Sequence, residues 1–359
     1  MRKVEFVLLP EGFLRVALER NATVKSLTIR GRKYTVLSFL GDNKAAVNGY
    51  INALGCVERV ETTIANNVLG DIVWDATYTD WKDFNGVKFP THIVQHQGEP
   101  KYFELTVTDV KPNAPVSLTT ATAGRGGGGR GGTPPAGSED LGGGFWLITG
   151  GYGAIVANFK DYVVVVEGPQ NDGRAAQIIT EAKKLAPNKP IKYVVNTHSH
   201  FDHVGGLREF VAEGSTIVTS QVNKGYYEKI FKYPRTLAPD KLSQMKPAPK
   251  TRVEYVAEKR VLTDGEHTIE LHHVQNSTHN EGMLIAYLPK QKVLFKADEF
   301  NLDGINTAVP PDINPYHTNL LANIERLRLD VERIIPIHLP QDGRKLTTAE
   351  LYKAAGKNN

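Results

Sequence analysis

Residues 191–206 read IKYVVNTHSHFDHVGG: a short apolar strand runs directly into three histidines and an aspartate held within six positions. A strand apolar on both faces lies inside a sheet. Its carboxyl end therefore opens at the sheet edge where α/β proteins hold their ligands. Imidazoles crowd at such a point only when something keeps them apart and neutral, and a metal ion does so. His198 and His200 are two apart, so in a chain still extended both rings face the same way. Asp202 and His203 follow where the chain turns into a helix before Gly205 and Gly206, and they address a neighbouring point. That geometry suits two adjacent metals, each taking part of the cluster. A solvated polar loop, or one histidine held by backbone, would account for a lone histidine but poorly for H-x-H-x-D-H placed after a buried strand.

The other ligands must come from the rest of the chain. Its 359 residues suffice for two domains. The clearest boundary is TAGRGGGGRGGTPPAGSEDLGGG, residues 122–144. Glycine at this density buries too little apolar surface to offset its ordering entropy, and a flexible linker over 121–143 is expected. An RGG-type nucleic-acid segment is the alternative, disfavoured by two arginines and no aromatics. The expected organisation is 1–120, linker, 144–359.

Before the seam, KSLTIRG, KYTVLSFLG, ERVETTI, IVWDATYTDW, VKFPTHIVQHQG and YFELTVTDV alternate as strands, separated by turn signals GDN, FNG and KPN. His92 and His96 share a face of one such strand and, with no carboxylate beside them in the sequence, read as surface histidines. After the seam, strands alternate with helices. WLITGG, AIVANF, DYVVVVEG, IKYVVNT, TIVTS, RVEYV, TIELHHV, MLIAYLP and KVLFKAD read as strands, and RAAQIITEAKKLA and LLANIERLRLD as helices, before a last strand VERIIPIH. This is an α/β layered domain with its site at strand ends.

HSHFDH resembles the signature of the metallo-β-lactamase-fold hydrolases, and residues of about 144–345 follow that family's order. STHNEGMLIAYLPKQKVLFKAD supplies His279 before one strand and Asp298 after the next, and VERIIPIH ends on His338. The resemblance implies an αββα sandwich of the metallo-β-lactamase type, preceded here by a β-rich N-terminal domain. It implies a first metal on His198, His200 and His279, a second on Asp202, His203 and His338, and Asp298 bridging both. Two Zn2+ are the default for such a set, with iron or manganese admitted by the same ligand types. Two such cations share a hydroxide of lowered pKa that attacks a carbonyl or phosphoryl centre. In this scheme Asp202 orients the nucleophile and passes its proton on.

The resemblance also directs the choice of reaction. The β-lactamases of this fold usually have a cysteine at the bridging position, or no bridging carboxylate; here it is Asp298, and the only cysteine is Cys56. A bridging aspartate is more like the glyoxalase II and lactonase branches, so an ester, lactone, thioester or amide is expected, with β-lactam hydrolysis as the alternative. A non-catalytic ligand- or lipid-binding protein that keeps the fold would be expected to have lost ligands. His338 is followed by Leu339 and Pro340 where family members often have glycine. Glu167 and Asp172 follow the strand DYVVVVEG and are candidates for support.

Substrate choice is expected to rest on residues 221–251, where Tyr226, Tyr227, Phe231 and Tyr233 stand among lysines and prolines as an aromatic lid; packing of a helix against the domain is the equal alternative. His272 and His273 point to opposite faces of one strand and read as strand residues, and His267 and His317 have no role. NGVKFPTHIVQHQG with ELTVTDVKPN is similar to the half-barrel domains of lipoprotein carriers found ahead of some bacterial hydrolases, which implies envelope association with either lipid binding or scaffolding. The net charge of +4 without a dense basic run gives no reason to expect nucleic acid. A small-molecule substrate is the partner implied. No apolar run approaches the roughly 20 residues of a membrane span. Glu5 and Pro10 interrupt the first apolar patch, which makes a poor signal peptide; a periplasmic or secreted location would need a trimmed leader.

Overall fold

The computed structural model describes residues 2–115, 134–302, 308–309 and 311–357. The chain divides into two compact units. The first comprises Met1–Gly127 with Tyr233–Pro239, and the second comprises Gly128–Lys232 with Asp240–Asn359.

The first unit opens with helices α1 (Arg2–Val7) and α2 (Pro10–Glu19). Strands β1 (Thr23–Ile29), β2 (Arg32–Leu40), β3 (Ala46–Ile51), β4 (Val57–Asn66), β5 (Gly70–Phe84), β6 (Val87–Gln97) and β7 (Lys101–Thr106) follow. They form one antiparallel meander in sequence order. Alternation sends Phe39, Val47, Val60, Trp74, Ala76, Tyr78 and Ile93 to one face, where Leu8, Phe13 and Ala17 complete the core. Gly49 makes this seating possible, because a Cβ there would lie 2.1 Å from the Phe13 ring. The two helices were not expected from the alternating text. The segment Tyr233–Pro239 also folds as part of this unit. Arg235 donates to the Asn66 and Val68 carbonyls at 3.2 and 2.8 Å, and Asp71 accepts from the Thr236 N–H and hydroxyl at 2.6 Å each.

The second unit begins with β8 (Gly137–Gly142), β9 (Phe145–Thr149), β10 (Ala154–Asn158) and β11 (Val163–Val166). It continues through α3 (Asp172–Leu185), β12 (Ile191–Val195), α4 (Phe201–Val204), α5 (Leu207–Ala212), β13 (Thr216–Ser220), α6 (Lys224–Ile230), α7 (Lys241–Gln244) and β14 (Val253–Val256). These strands make one sheet in the order β14-β13-β12-β11-β10-β9-β8. Strands β15 (Lys259–Thr263), β16 (Thr268–His273), β17 (Leu284–Leu288), β18 (Val293–Lys296), β19 (Arg333–Pro336) and β20 (Leu346–Thr347) make the other, in sequence order. Helices α8 (Pro315–Leu327) and α9 (Thr348–Ala354) complete the unit.

Val164, Val166, Val195 and Val218 of the first sheet share a core with Leu271, Ile285, Tyr287 and Phe295 of the second. Leu320, Leu321 and Ile324 of α8 and Leu351 of α9 join it, while α3 and α5 pack on the first sheet. The result is the expected helix–sheet–sheet–helix sandwich. Every residue of β11 is buried, as expected of an interior strand. At the seam the expectation of a linker to 143 is corrected. Residues 121–133 lie outside the described ones, but Gly137–Gly142 is strand β8, paired antiparallel with β9. Its Glu139 takes a bidentate pair from Arg333 at 2.8 and 3.0 Å, with Lys345 at 2.8 Å, so the charge of Glu139 serves pairing. Among the described residues no helix is long and apolar enough to cross a membrane.

Candidate metal centre

Four chain segments converge at one edge of the sandwich. His198, His200, Asp202 and His203 follow β12, His279 lies in the loop before β17, Asp298 follows β18 and His338 follows β19. Their side chains fall into two groups, His198, His200, His279 and Asp298, and Asp202, His203 and His338. Within each group one ligand-type atom per residue lies within 4.8 Å of all the others.

Asp298 joins the groups. Its Oδ2 lies 3.3 Å from His198 Nε2, 2.9 Å from His279 Nε2 and 3.2 Å from His203 Nε2, and its Oδ1 lies 2.8 Å from His338 Nε2. Despite these distances, the Nε2 atoms of His198, His203 and His279 are buried without a hydrogen-bonding partner. Nitrogens that converge on a carboxylate without making hydrogen bonds to it are disposed as ligands around shared points, so the donor set fits divalent cations.

The chain is similar to known proteins in three respects. Residues 160–338 match the family model described as the metallo-beta-lactamase superfamily. Over that segment the chain is a member of the metallo-beta-lactamase superfamily. It is also similar to the 2,4-dinitroanisole O-demethylase subunit alpha of Nocardioides sp. (strain JS1661), at 26% identity over 207 residues, 57% of this chain. The match spans 58% of that relative's length. Among solved structures, a metallo-beta-lactamase from Pontibacter korlensis aligns at 18% identity with a TM-score of 0.45, covering 62% of this chain and 97% of its own. The metallo-beta-lactamase FIM-1 from Pseudomonas aeruginosa, in its mono-zinc form, aligns at 18% identity and a TM-score of 0.44, covering 62% and 94%.

In this metallo-beta-lactamase domain a buried carboxylate sets the imidazole tautomers. Glu167, fully buried after β11, accepts from Thr197 Oγ1 at 2.6 Å and Asn196 Nδ2 at 3.0 Å. The Thr197 hydroxyl, having given its proton to Glu167, accepts from His198 Nδ1 at 3.1 Å. His203 Nδ1 lies 3.4 Å from the same carboxylate. Both Nδ1 atoms thus carry hydrogen, which leaves the Nε2 lone pairs facing the centre. Glu167 holds a φ of +85°, uncommon for a side chain of this size, and its three partners retain it there. Asn196 binds the loop a second time, donating to the His203 carbonyl at 2.9 Å. The two glycines that end the motif are packing requirements: a Cβ at Gly205 would lie 2.2 Å from the Gln170 carbonyl oxygen, and one at Gly206 2.7 Å from Ala175 Cβ.

The electrostatics follow from burial among carboxylates. Burial pulls His198 down to about 3, so this ring is neutral at physiological pH. Burial also works against the charge on His203, but Asp298 and Glu167 outweigh it and raise that imidazole to about 10. The proton so held is one that a cation would displace. Burial acts upward on Asp298, yet its contacts with His198, His203 and His338 hold its carboxyl far below the usual range.

The structure brings the seven sequence-predicted ligands together, and the predicted substrate residues have different surroundings. Tyr227 is buried, its hydroxyl donating to Asn196 Oδ1 and lying 3.4 Å from the His198 carbonyl; it braces the metal loop from behind and has no surface for a substrate. Tyr226 is half-buried, its ring 5.3 Å edge-on to Tyr227. Tyr233 belongs to the first unit, its Cβ 3.1 Å from where a Cβ on Gly70 would stand. Of the stretch 221–251, helix α6 puts Tyr227 in the core, as the packing alternative has it, and Tyr233–Pro239 belongs to the first unit. Asp172, offered as support, is the first residue of α3.

His272 and His273 are strand residues, bonded to Glu270 at 2.9 Å and to the Glu281 carbonyl at 2.7 Å. His92 and His96 do have carboxylates beside them, from neighbouring strands: Glu104 at 3.0 Å and Asp75 at 3.7 Å. The sequence reading missed these because cross-strand neighbours are not adjacent in the chain. Leu339, where family members often have glycine, packs 3.3 Å from the position of a Cβ on Gly153. Two aromatic residues at the centre were not anticipated. Tyr152 donates to Asp202 Oδ2 at 3.3 Å, and Tyr316 stands edge-on to His279 at 5.4 Å. No motif contains either residue, so only the fold reveals them.

Proposed function

We propose that this protein is a dinuclear metallohydrolase that cleaves an ester, lactone, thioester or amide. His198, His200 and His279 would hold one metal and Asp202, His203 and His338 the other, with Asp298 between the two groups. The observation that carries the reading is the position of Asp298, whose two oxygens reach imidazoles of both groups at 2.8–3.3 Å. Two zinc ions are the favoured occupants, since imidazole and carboxylate ligands suit zinc before harder ions. Bound there, a pair of divalent cations supplies Lewis acidity and a water of lowered pKa.

The remaining work falls to the chain. The carboxylate of Asp202 is partly open to solvent and lies 3.5 Å from His203 Nε2, where it would meet an attacking water. It orients that water and accepts its proton, then returns the proton to the leaving group. Glu167 and Thr197 keep His198 and His203 in the tautomer that leaves Nε2 free. Tyr226 and Tyr233 are the predicted substrate contacts whose partial exposure allows the role.

The similarity to a 2,4-dinitroanisole O-demethylase subunit favours a second reading, in which the same water cleaves an aryl methyl ether to a phenol and methanol. The word "subunit" in that name also favours assembly with another chain. A panel containing a lactone, a thioester, a β-lactam and a nitro-substituted anisole, run with zinc-loaded and metal-stripped protein, separates these readings. Metal-dependent cleavage of the first two, abolished in Asp202→Ala, is the expected result. Cleavage of the anisole alone would replace the acyl reading by the ether reading. Silence across the panel with metal bound would favour a binding protein.

A further inference from the structure

Tyr152 is held at the centre by unusual means. It sits between β9 and β10 in the loop 150–153, where Gly150 and Gly151 have φ of +86° and +119°. Its hydroxyl donates to Asp202 Oδ2 at 3.3 Å. Its ring meets His338 edge-on with centroids 4.7 Å apart, and stands 6.3 Å from His203. Its backbone bridges to His338, and the next N–H, of Gly153, donates to the Ile337 carbonyl at 2.7 Å. One residue therefore touches, or stands beside, every member of the second metal group and none of the imidazoles of the first.

The loop is fixed from below by Arg174 of α3, whose side chain is fully buried. Its guanidinium donates to the Tyr152 carbonyl from Nε at 3.1 Å and Nη2 at 2.7 Å, and to the Thr149 carbonyl at 3.0 Å. A third nitrogen, Nη1, reaches Gln177 at 3.2 Å. Burying a guanidinium costs free energy, and here the charge is directed at loop carbonyls. What that placement secures is the position of one phenol against one carboxylate.

We propose that Tyr152 is a positioning residue for the second metal group, setting how tightly Asp202, His203 and His338 hold their ion relative to the first group; this rests on the dinuclear reading above. The phenol donates to Asp202 Oδ2, the oxygen that lies 3.5 Å from His203 Nε2 and 3.8 Å from His338 Nε2, and so fixes the orientation of that carboxylate, while the ring limits rotation of His338. Hydrogen-bonding partners behind a metal ligand act in this way on affinity. Arg174 acts one step further back, through the loop.

Cobalt(II) titration of metal-stripped protein, followed by its visible absorption and by chelator competition, tests the proposal on wild type, Tyr152→Phe and Tyr152→Ala. Wild type takes two equivalents. In Tyr152→Phe, which keeps the ring, one of the two dissociation constants rises about tenfold and the other is unchanged. Turnover at fixed metal falls through kcat with KM unchanged. Tyr152→Ala shows a larger rise because the contact with His338 is also lost. Two equivalents with unchanged constants in a folded Tyr152→Phe would overturn the proposal alone. One equivalent or none in wild type would overturn the dinuclear reading, and the proposal with it.

Discussion

At the scale of single residues, the centre depends on which atom carries each proton. Thr197 gives its hydrogen to Glu167 and takes one from His198, so Thr197→Val leaves Glu167 and His198 Nδ1 each short of a partner. The expected cost is about 1–3 kcal/mol in denaturant unfolding, together with roughly tenfold weaker metal binding. Asp202→Asn keeps the shape and removes the base. We expect turnover to fall by about 100-fold or more, with an unchanged melting curve for the metal-stripped protein. Tyr227→Phe distinguishes brace from substrate contact. Asn196 Oδ1 keeps the Thr219 hydroxyl at 3.4 Å, so about 1 kcal/mol of stability is lost and KM stays constant. A raised KM at unchanged stability would return Tyr227 to the substrate pocket. The seven ligands were legible because histidines and aspartates at strand ends announce themselves in a sequence. Tyr152 and Tyr316 were not, since a tyrosine carries no signal until the fold brings it within reach of a ligand.

At the scale of elements, α3 and α5 transmit their positions to the centre through few contacts. Arg174→Met removes the donors beneath the 150–153 loop while keeping the volume of the side chain. We expect the loop to loosen, with faster amide exchange at residues 150–153 and weakened binding at the second metal group. Helix α5 is tied to α7 by Arg208, which pairs with Asp240 through two contacts, one at 3.0 Å. Burial alone would raise the Asp240 carboxyl, but Arg208 and the Ser243 N–H hold it to about 2, below its ordinary 3.8. Its contribution is therefore complete above about pH 4 and is lost as pH falls towards 2. Melting of wild type and Asp240→Asn should differ at pH 6 and converge near pH 2; a constant gap would remove this pair from the acid stability. Strands and helices of the second unit were largely visible as periodic text. Strand β8 was hidden by its glycines, because a strand made of GSEDLG owes its pairing to Arg333 and Lys345, which lie about two hundred residues away. Helices α1 and α2 were hidden by reading for alternation alone.

At the scale of the whole molecule, metal and fold are linked in the second unit. Ligands from four segments meet only in the folded chain, so cations bind the native state in preference to the unfolded one. Chelation should lower the melting temperature, and zinc should restore it in proportion to the logarithm of its free concentration. The α/β sandwich was legible as a whole because its strands alternate with helices and deliver their ligands in order. The membership of Tyr233–Pro239 in the first unit was not, since Asp71 and Arg235 are brought together only by tertiary structure. The most direct measurement of the central claim is an anomalous difference map from crystals of the zinc-loaded protein, collected across the zinc edge. Two peaks on either side of Asp298, one within reach of His198, His200 and His279 and the other of Asp202, His203 and His338, are the predicted result. A single peak, or peaks away from Asp298, would contradict it.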